Sequence, residues 1–217
     1  MRRTIDAVIF DMDGVLADSE PLHQDVIRLL MAEYGVQWRP DGHDPTVGLT
    51  AVEGFAVICA LHALPHDPRE LDARYTERVL PVLRERLVPM PGVPDVPRAL
   101  AGRGMRLAVA SSSAPSVIET TLRTLGVREL FELTVSGVEV ARGKPAPDVF
   151  LEAAKRLGVA PEACVVVEDS ERGVRAARAA GMRCVAVPCG ETRHHDFSEA
   201  TLVLPALTDL LRCPLFA

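Results

Sequence analysis

No stretch of this chain comes near the roughly 20 consecutive apolar residues that a helical membrane span requires, and Asp6 interrupts the start before a signal-peptide core could form. A membrane is therefore not an expected partner, and the cytoplasm is the expected compartment. The five cysteines, Cys59, Cys164, Cys184, Cys189 and Cys213, include no CxxC pair. That spacing speaks against a structural zinc or a disulfide framework, and for reduced, mostly buried thiols. No basic run is present and the net charge is -6, so nucleic acid is not an expected partner either, because phosphate backbones need clustered cations. Lysine is scarce: of 24 Lys plus Arg, only Lys144 and Lys155 are lysine. A chain that supplies nearly every cation as arginine keeps lysine where something requires it.

The 217 residues are 48% hydrophobic and 25% charged, enough for one large domain or two small ones. The quartet "AVIF", residues 7–10, reads as a buried strand. Helical spacing follows in "PLHQDVIRLLMAEYG", with Leu22, Val26, Leu29 and Leu30 on one face, and again in "LTAVEGFAVICALHAL" and "PRELDARYTERVLPVLRERL", where Pro68 suits a first helical position. The cluster "VPMPGVPDVP" then breaks the pattern. Beyond it strands and helices alternate ("MRLAVAS", "APSVIETTLRTLG", "LTVSG", "PDVFLEAAKRLG", "CVVVED", "ERGVRAARAAG", "MRCVAVP"), and the tail "ATLVLPALTDLL" suits a last strand and helix. Such alternation predicts an α/β fold, a doubly wound parallel sheet with helices on both faces. The first strand belongs to that sheet, so residues 1–17 and 88–217 form the core, and 18–87 an all-helical insertion. Nothing sets the oligomeric state, and a monomer suffices.

The chemistry gathers at strand ends. Asp11 and Asp13 follow "AVIF" two residues apart, which on a strand places both carboxylates on one face, and the turn residue Gly14 comes next. Ser111 closes "MRLAVAS", Glu168 and Asp169 close "CVVVED", and Lys144 stands in "GKPAPD" ahead of a helix. Singly, each has an ordinary reading as a helix cap, a loop cation or an acid at a helix start. Together they are harder to dismiss, because strand ends of one parallel sheet converge on a common crevice, where such folds bind ligands. Several carboxylates around one point suit a hard cation such as magnesium beside a substrate phosphate. A compact ammonium also fits there better than a planar guanidinium. The segment "GVEVARGKP" is not a P-loop, since five residues rather than four separate its glycines and Pro145 stands where Ser or Thr should be. His62 and His66 are read as surface histidines with Pro65 between them, and His194 and His195 as loop residues.

In their usual order, "DMDGVLADSE", "VASSS", "GKPAPD" and "VVEDS" resemble the four motifs of the haloacid dehalogenase superfamily. The helical insertion after the first motif is similar to the cap of its β-phosphoglucomutase-like and phosphoglycolate-phosphatase-like subgroup. The resemblance implies Asp11 as a nucleophile that becomes an aspartyl phosphate and Asp13 as general acid and base. It implies magnesium held by Asp11, the Asp13 carbonyl and Asp169, with Glu168 a direct or water-mediated ligand. It places Gly14, Ser111, the backbone N–H of Ser112 and Lys144 at the phosphate, and His23 near substrate or Asp13. The expected function is a magnesium-dependent phosphatase acting on a small phosphorylated metabolite: a sugar, polyol or short organic-acid phosphate. The alternatives are a phosphosugar mutase and, more remotely, a non-catalytic phosphometabolite-binding protein. Against the mutase, Val47 and Ala51 stand where β-phosphoglucomutases carry a lysine and an arginine. Candidate substrate contacts in the helical insertion are Arg39, Thr50, Glu53 and Arg74.

Overall fold

The computed structural model describes residues 5–39 and 44–216. The chain begins with β1 (Ala7–Phe10), enters a short strand β2 (Ala17–Asp18), and runs through three helices, α1 (Glu20–Ala32), α2 (Ala51–His62) and α3 (Pro68–Arg86), before β3 (Val88–Pro89). There follow α4 (Asp95–Gly102), β4 (Arg106–Ser111), α5 (Pro115–Thr124), β5 (Leu133–Ser136), α6 (Asp148–Leu157), β6 (Cys164–Glu168), α7 (Glu171–Ala179), β7 (Arg183–Ala186) and β8 (Leu202–Val203). Six strands form one sheet in the order β5-β4-β1-β6-β7-β8, every neighbouring pair parallel. In it Ala7 lies opposite both Arg106 and Cys164.

Alternate residues of the strands face opposite layers, as the pleat requires. Val8, Phe10, Leu107, Val109, Val165 and Val167 pack with residues of α4 and α5. Ala7, Ile9, Ala108, Ala110, Cys164 and Val166 pack with residues of α6 and α7. The fold is thus the expected doubly wound α/β sheet, and all five cysteines are buried and free. Among the described residues, no helix is long and apolar enough to cross a membrane.

Between β2 and β3, α1 and α2 both pack on α3, and α3 also packs on α5. The antiparallel pairing of Ala17 with Pro89 and Asp18 with Val88 sets the two ends of this helical segment side by side. The buried stripe of α1 is Leu22, His23, Val26, Leu30 and Met31. Leu29, expected on that face, is 63% exposed, because it sits about 100° round the helix from Leu30. The tail also departs from expectation. Its strand is two residues long and its helix is a 3-10 helix, Leu207–Arg212. Pro205, soon after the strand, brings no N–H to lengthen the ladder, and Pro214 bars helix just beyond Arg212.

Candidate active site

β1 ends at Phe10, so Asp11 and Asp13 lie in the turn beyond it and not on the strand. Their shared direction is set by that turn rather than by the pleat. Leu16 N and Ala17 N both donate to the Met12 carbonyl (2.8 and 3.0 Å), and Gly14 N donates to the Ala17 carbonyl at 2.9 Å. Gly14 has φ +77°, and a Cβ there would collide with Asp169 Oδ2, so both its backbone angle and its bareness are needed. It abuts Asp169 and Cys189 and does not line the cavity that Asp11 and Asp13 border.

Lys144 joins the two sides of the crevice. Its Nζ donates to Asp11 Oδ1 (2.5 Å), Glu168 Oε1 (2.6 Å) and the Ala110 carbonyl (3.3 Å), 4.9 Å from the centre of the Phe150 ring. Burial alone would lower the lysine's pKa, but the two carboxylates outweigh it and raise the value. Glu168 is completely buried. Its Oε2 accepts from Asp169 N (2.8 Å), Ser170 N (2.8 Å) and Ser170 Oγ (2.9 Å). Ser170 also caps α7 by accepting from Gly173 N. A Cβ at Gly173 would fall on Glu168 Oε1. We therefore expect Gly173→Ala to cost at least about 1–3 kcal/mol, the usual penalty of overpacking, measured by urea unfolding; an unchanged midpoint would refute the close fit.

Asp11, Glu168 and Asp169 each present an oxygen within 4.8 Å of the others. Burial, with Glu168 and Asp13 adding to it and Lys144 opposing, pushes the Asp11 carboxyl up to about 8. Burial and the neighbouring Glu168, Asp11 and Cys189 raise Asp169 well above the ordinary carboxylate range. Such carboxyls resist ionising side by side, and a cation among them would reverse that.

Asp13 is set differently. Its Oδ1 accepts from Ser19 Oγ (2.5 Å) and meets His23 Nε2 (3.3 Å), while its Oδ2 accepts from Ser113 Oγ (3.0 Å) and Ser111 Oγ (3.4 Å). Burial would raise its pKa, but His23, Ser19 and Ser113 together hold it below the ordinary carboxylate range. His23 Nδ1 in turn meets the Tyr75 hydroxyl at 2.5 Å. A neutral ring that accepts the tyrosine proton at Nδ1 carries its own proton on Nε2, facing Asp13. Ser112 Oγ donates to the Gly48 carbonyl at 2.9 Å, tying the β4 loop to the segment before α2.

Asp11, Asp13, His23, Ser111, Ser112, Lys144, Glu168 and Asp169 all line one cavity. Of the four candidates in the helical segment, Thr50 alone lines it. Glu53 spends its carboxylate on the Thr50 N–H and hydroxyl in a capping box. Arg74 pairs with Glu33 and lies over the Tyr34 ring, and Arg39 is exposed outside the cavity. His62 and His66 are exposed beside Trp38 and Tyr34, and His195 Nδ1 accepts from Glu171 N. Sequence reasoning missed Tyr75 and Ser113, with Glu20, Gln24, Asp72 and Thr76, which also line the cavity. The signal for Tyr75 was a lone hydroxyl in the four-residue stripe Leu71, Tyr75, Val79, Leu83 that α3 buries.

Residues 5–181 match the haloacid dehalogenase-like hydrolase family. Over 213 residues the chain is 34% identical to the bifunctional riboflavin kinase/FMN phosphatase of Arabidopsis thaliana; the match takes in 97% of this chain and 55% of that protein, so the chain spans about half of that relative's length. It is 38% identical over 180 residues to the fructose-1-phosphate phosphatase YqaB of Escherichia coli, covering 83% of this chain and 95% of that one. Its fold superposes on the crystal structure of CbbY from Rhodobacter sphaeroides in complex with phosphate, with a TM-score of 0.87, 32% identity, and 95% and 96% of the two chains covered. A variant of the same protein has been crystallised with xylulose-(1,5)-bisphosphate. The family match covers most of the chain and its solved relatives share the parallel sheet, so this protein belongs to the haloacid dehalogenase-like hydrolases.

Proposed function

We propose that this hydrolase is a magnesium-dependent phosphatase that releases phosphate from a small phosphorylated metabolite through an aspartyl phosphate on Asp11. The observation that carries the reading is the state of Asp11. One oxygen is fixed by Lys144 at 2.5 Å, and the side chain borders the cavity beside Asp13. In the first half-reaction the free Asp11 oxygen attacks phosphorus, the ester P–O bond breaks, and Asp13, protonated once the negative charge of the incoming phosphate lies beside it, gives that proton to the departing alkoxide. In the second, Asp13 takes a proton from water, the water oxygen attacks phosphorus, and Asp11 leaves as carboxylate. Ser111 Oγ, the Ser112 N–H and Lys144 would hold the phosphoryl oxygens.

Asp11, Asp169 and the Asp13 carbonyl would hold the metal, whose contribution is to draw negative charge from the phosphoryl oxygens. Glu168 belongs to the same carboxylate group, but four donors already occupy its oxygens; we assign it to orienting Lys144 and Asp169. We assign residues 18–87 to a cap that meets the leaving group. The mutase reading gains no support, since Val47 and Ala51 bring neutral side chains to the cavity lining, where a second phosphate would need cations. The test is phosphate release from a panel of phosphomonoesters with EDTA and after magnesium is returned. Chelation is expected to lower the rate at least about a hundredfold, or ~2.7 kcal/mol of barrier, with calcium restoring little. Full activity in protein shown by metal analysis to be metal-free would overturn the reading.

A further inference from the structure

The structure assigns the leaving-group end of this cavity to an uncharged polyhydroxy alcohol, so that the phosphate under attack is the substrate's sole anionic group. This rests on the phosphatase reading above. Away from Asp11 the cavity wall is made by α1, α2, α3 and the segment before α2. Gln24 gives its amide N–H to Asp44, while its Oε1 is buried without a hydrogen-bond partner among the described residues. An orphaned buried acceptor is costly until a donor arrives, and a substrate hydroxyl is such a donor. Glu20 and Asp72 add carboxyl groups to the same wall. Asp72 accepts one long bond, 3.5 Å, from Thr76, and neither carboxyl forms an ion pair with a described residue.

Among the described residues, the basic side chains of the lining are Lys144 and His23, both already engaged with carboxylates. Arg172 packs its Cβ and Cδ near Gly48 but is not part of the lining. A second phosphate or a carboxylate on the leaving group would thus face Glu20 and Asp72 with nothing to balance it. Hydroxyls instead meet acceptors, and the C–H faces of a sugar or polyol meet Ile27, Phe55 and Ile58. CbbY was crystallised with a bisphosphate, so the inference separates this chain from a relative of similar fold.

Two substrate pairs, each differing in one anionic group, test it: fructose 6-phosphate against fructose 1,6-bisphosphate, and glycerol 3-phosphate against 3-phosphoglycerate. In both pairs kcat/KM is expected to favour the uncharged leaving group by at least about tenfold. Asp72→Lys is expected to narrow the gap in the glycerol 3-phosphate pair. A preference below tenfold in either pair overturns the inference, as does hydrolysis of p-nitrophenyl phosphate with none of the uncharged members turned over. A bisphosphate accepted by the parent and lost in Arg172→Ala would identify the cation that defeats it. Absence of phosphate release from every compound, p-nitrophenyl phosphate included, would instead overturn the phosphatase reading itself.

Discussion

Asp11→Asn is expected to lower kcat by at least about 10⁴-fold, ~5.4 kcal/mol of barrier, because an amide cannot form the acyl phosphate on which both proposed half-reactions depend. The fold should survive. The Asp11 carboxyl is pushed up to about 8 by burial, helped by Glu168 and Asp13 and opposed by Lys144. A carboxyl raised in this way takes stability from the folded state as pH climbs from the ordinary carboxylate range toward 8, since ionisation is easier in the unfolded chain. Asparagine keeps the shape and sheds the charge. Metal-free Asp11→Asn should therefore unfold at pH 7 at a temperature no lower than that of the parent, and the difference should vanish below about pH 4, where the carboxyl is neutral in both states. Phosphate release at the parental rate by pure variant would remove the covalent route.

Lys144→Met should damage stability and chemistry together. The ammonium lies between Asp11 and Glu168 with its side chain 2% exposed, and taking it away from the buried Glu168 carboxylate costs about 3–5 kcal/mol, because the charge left behind has no counterpart. Turnover should fall below detection. Lys144→Arg is the sharper comparison, for it keeps the charge and spends it on a planar fork where Phe150, Ala110 and two carboxylates enclose a compact donor. A loss of at least about tenfold, ~1.4 kcal/mol of barrier, is expected from that change alone. An arginine variant as active as the parent would show that charge suffices and that the scarcity of lysine in this chain is unrelated to the site.

The parts legible in the sequence were those written locally. Apolar quartets ending in an acid or a serine announced where β1, β4 and β6 stop, and each acid, serine or lysine singled out there lines the crevice. Gly14 is the residue assigned to the phosphate that the fold puts elsewhere, behind Asp169. What could not be read was partnership across distant segments. Tyr75 reaches His23 from 52 positions away, and in periodicity alone it is one more buried residue of α3. Glu168 and Asp169 are neighbours in the sequence, yet the start of α7 claims the first through backbone N–H groups and leaves the second to the cluster. Arg74 offered a charge to the substrate region, but Glu33 and Tyr34 lie nearer, and no local pattern carries that geometry.

The central place of β1 has a consequence in time. Residues 7–10 pair with 106–109 on one side and 164–167 on the other, so the strand that leads to Asp11 is synthesised long before either neighbour. At about 5–20 residues per second, its second partner follows after roughly ten to thirty seconds. The helices between β2 and β3 can form from local contacts in that interval, whereas four apolar residues of β1 wait unpaired. A nascent chain that has not yet passed Asp169 has Asp11 but not the acids that complete the group around it, so the carboxylate cluster cannot be assembled piecemeal on the ribosome.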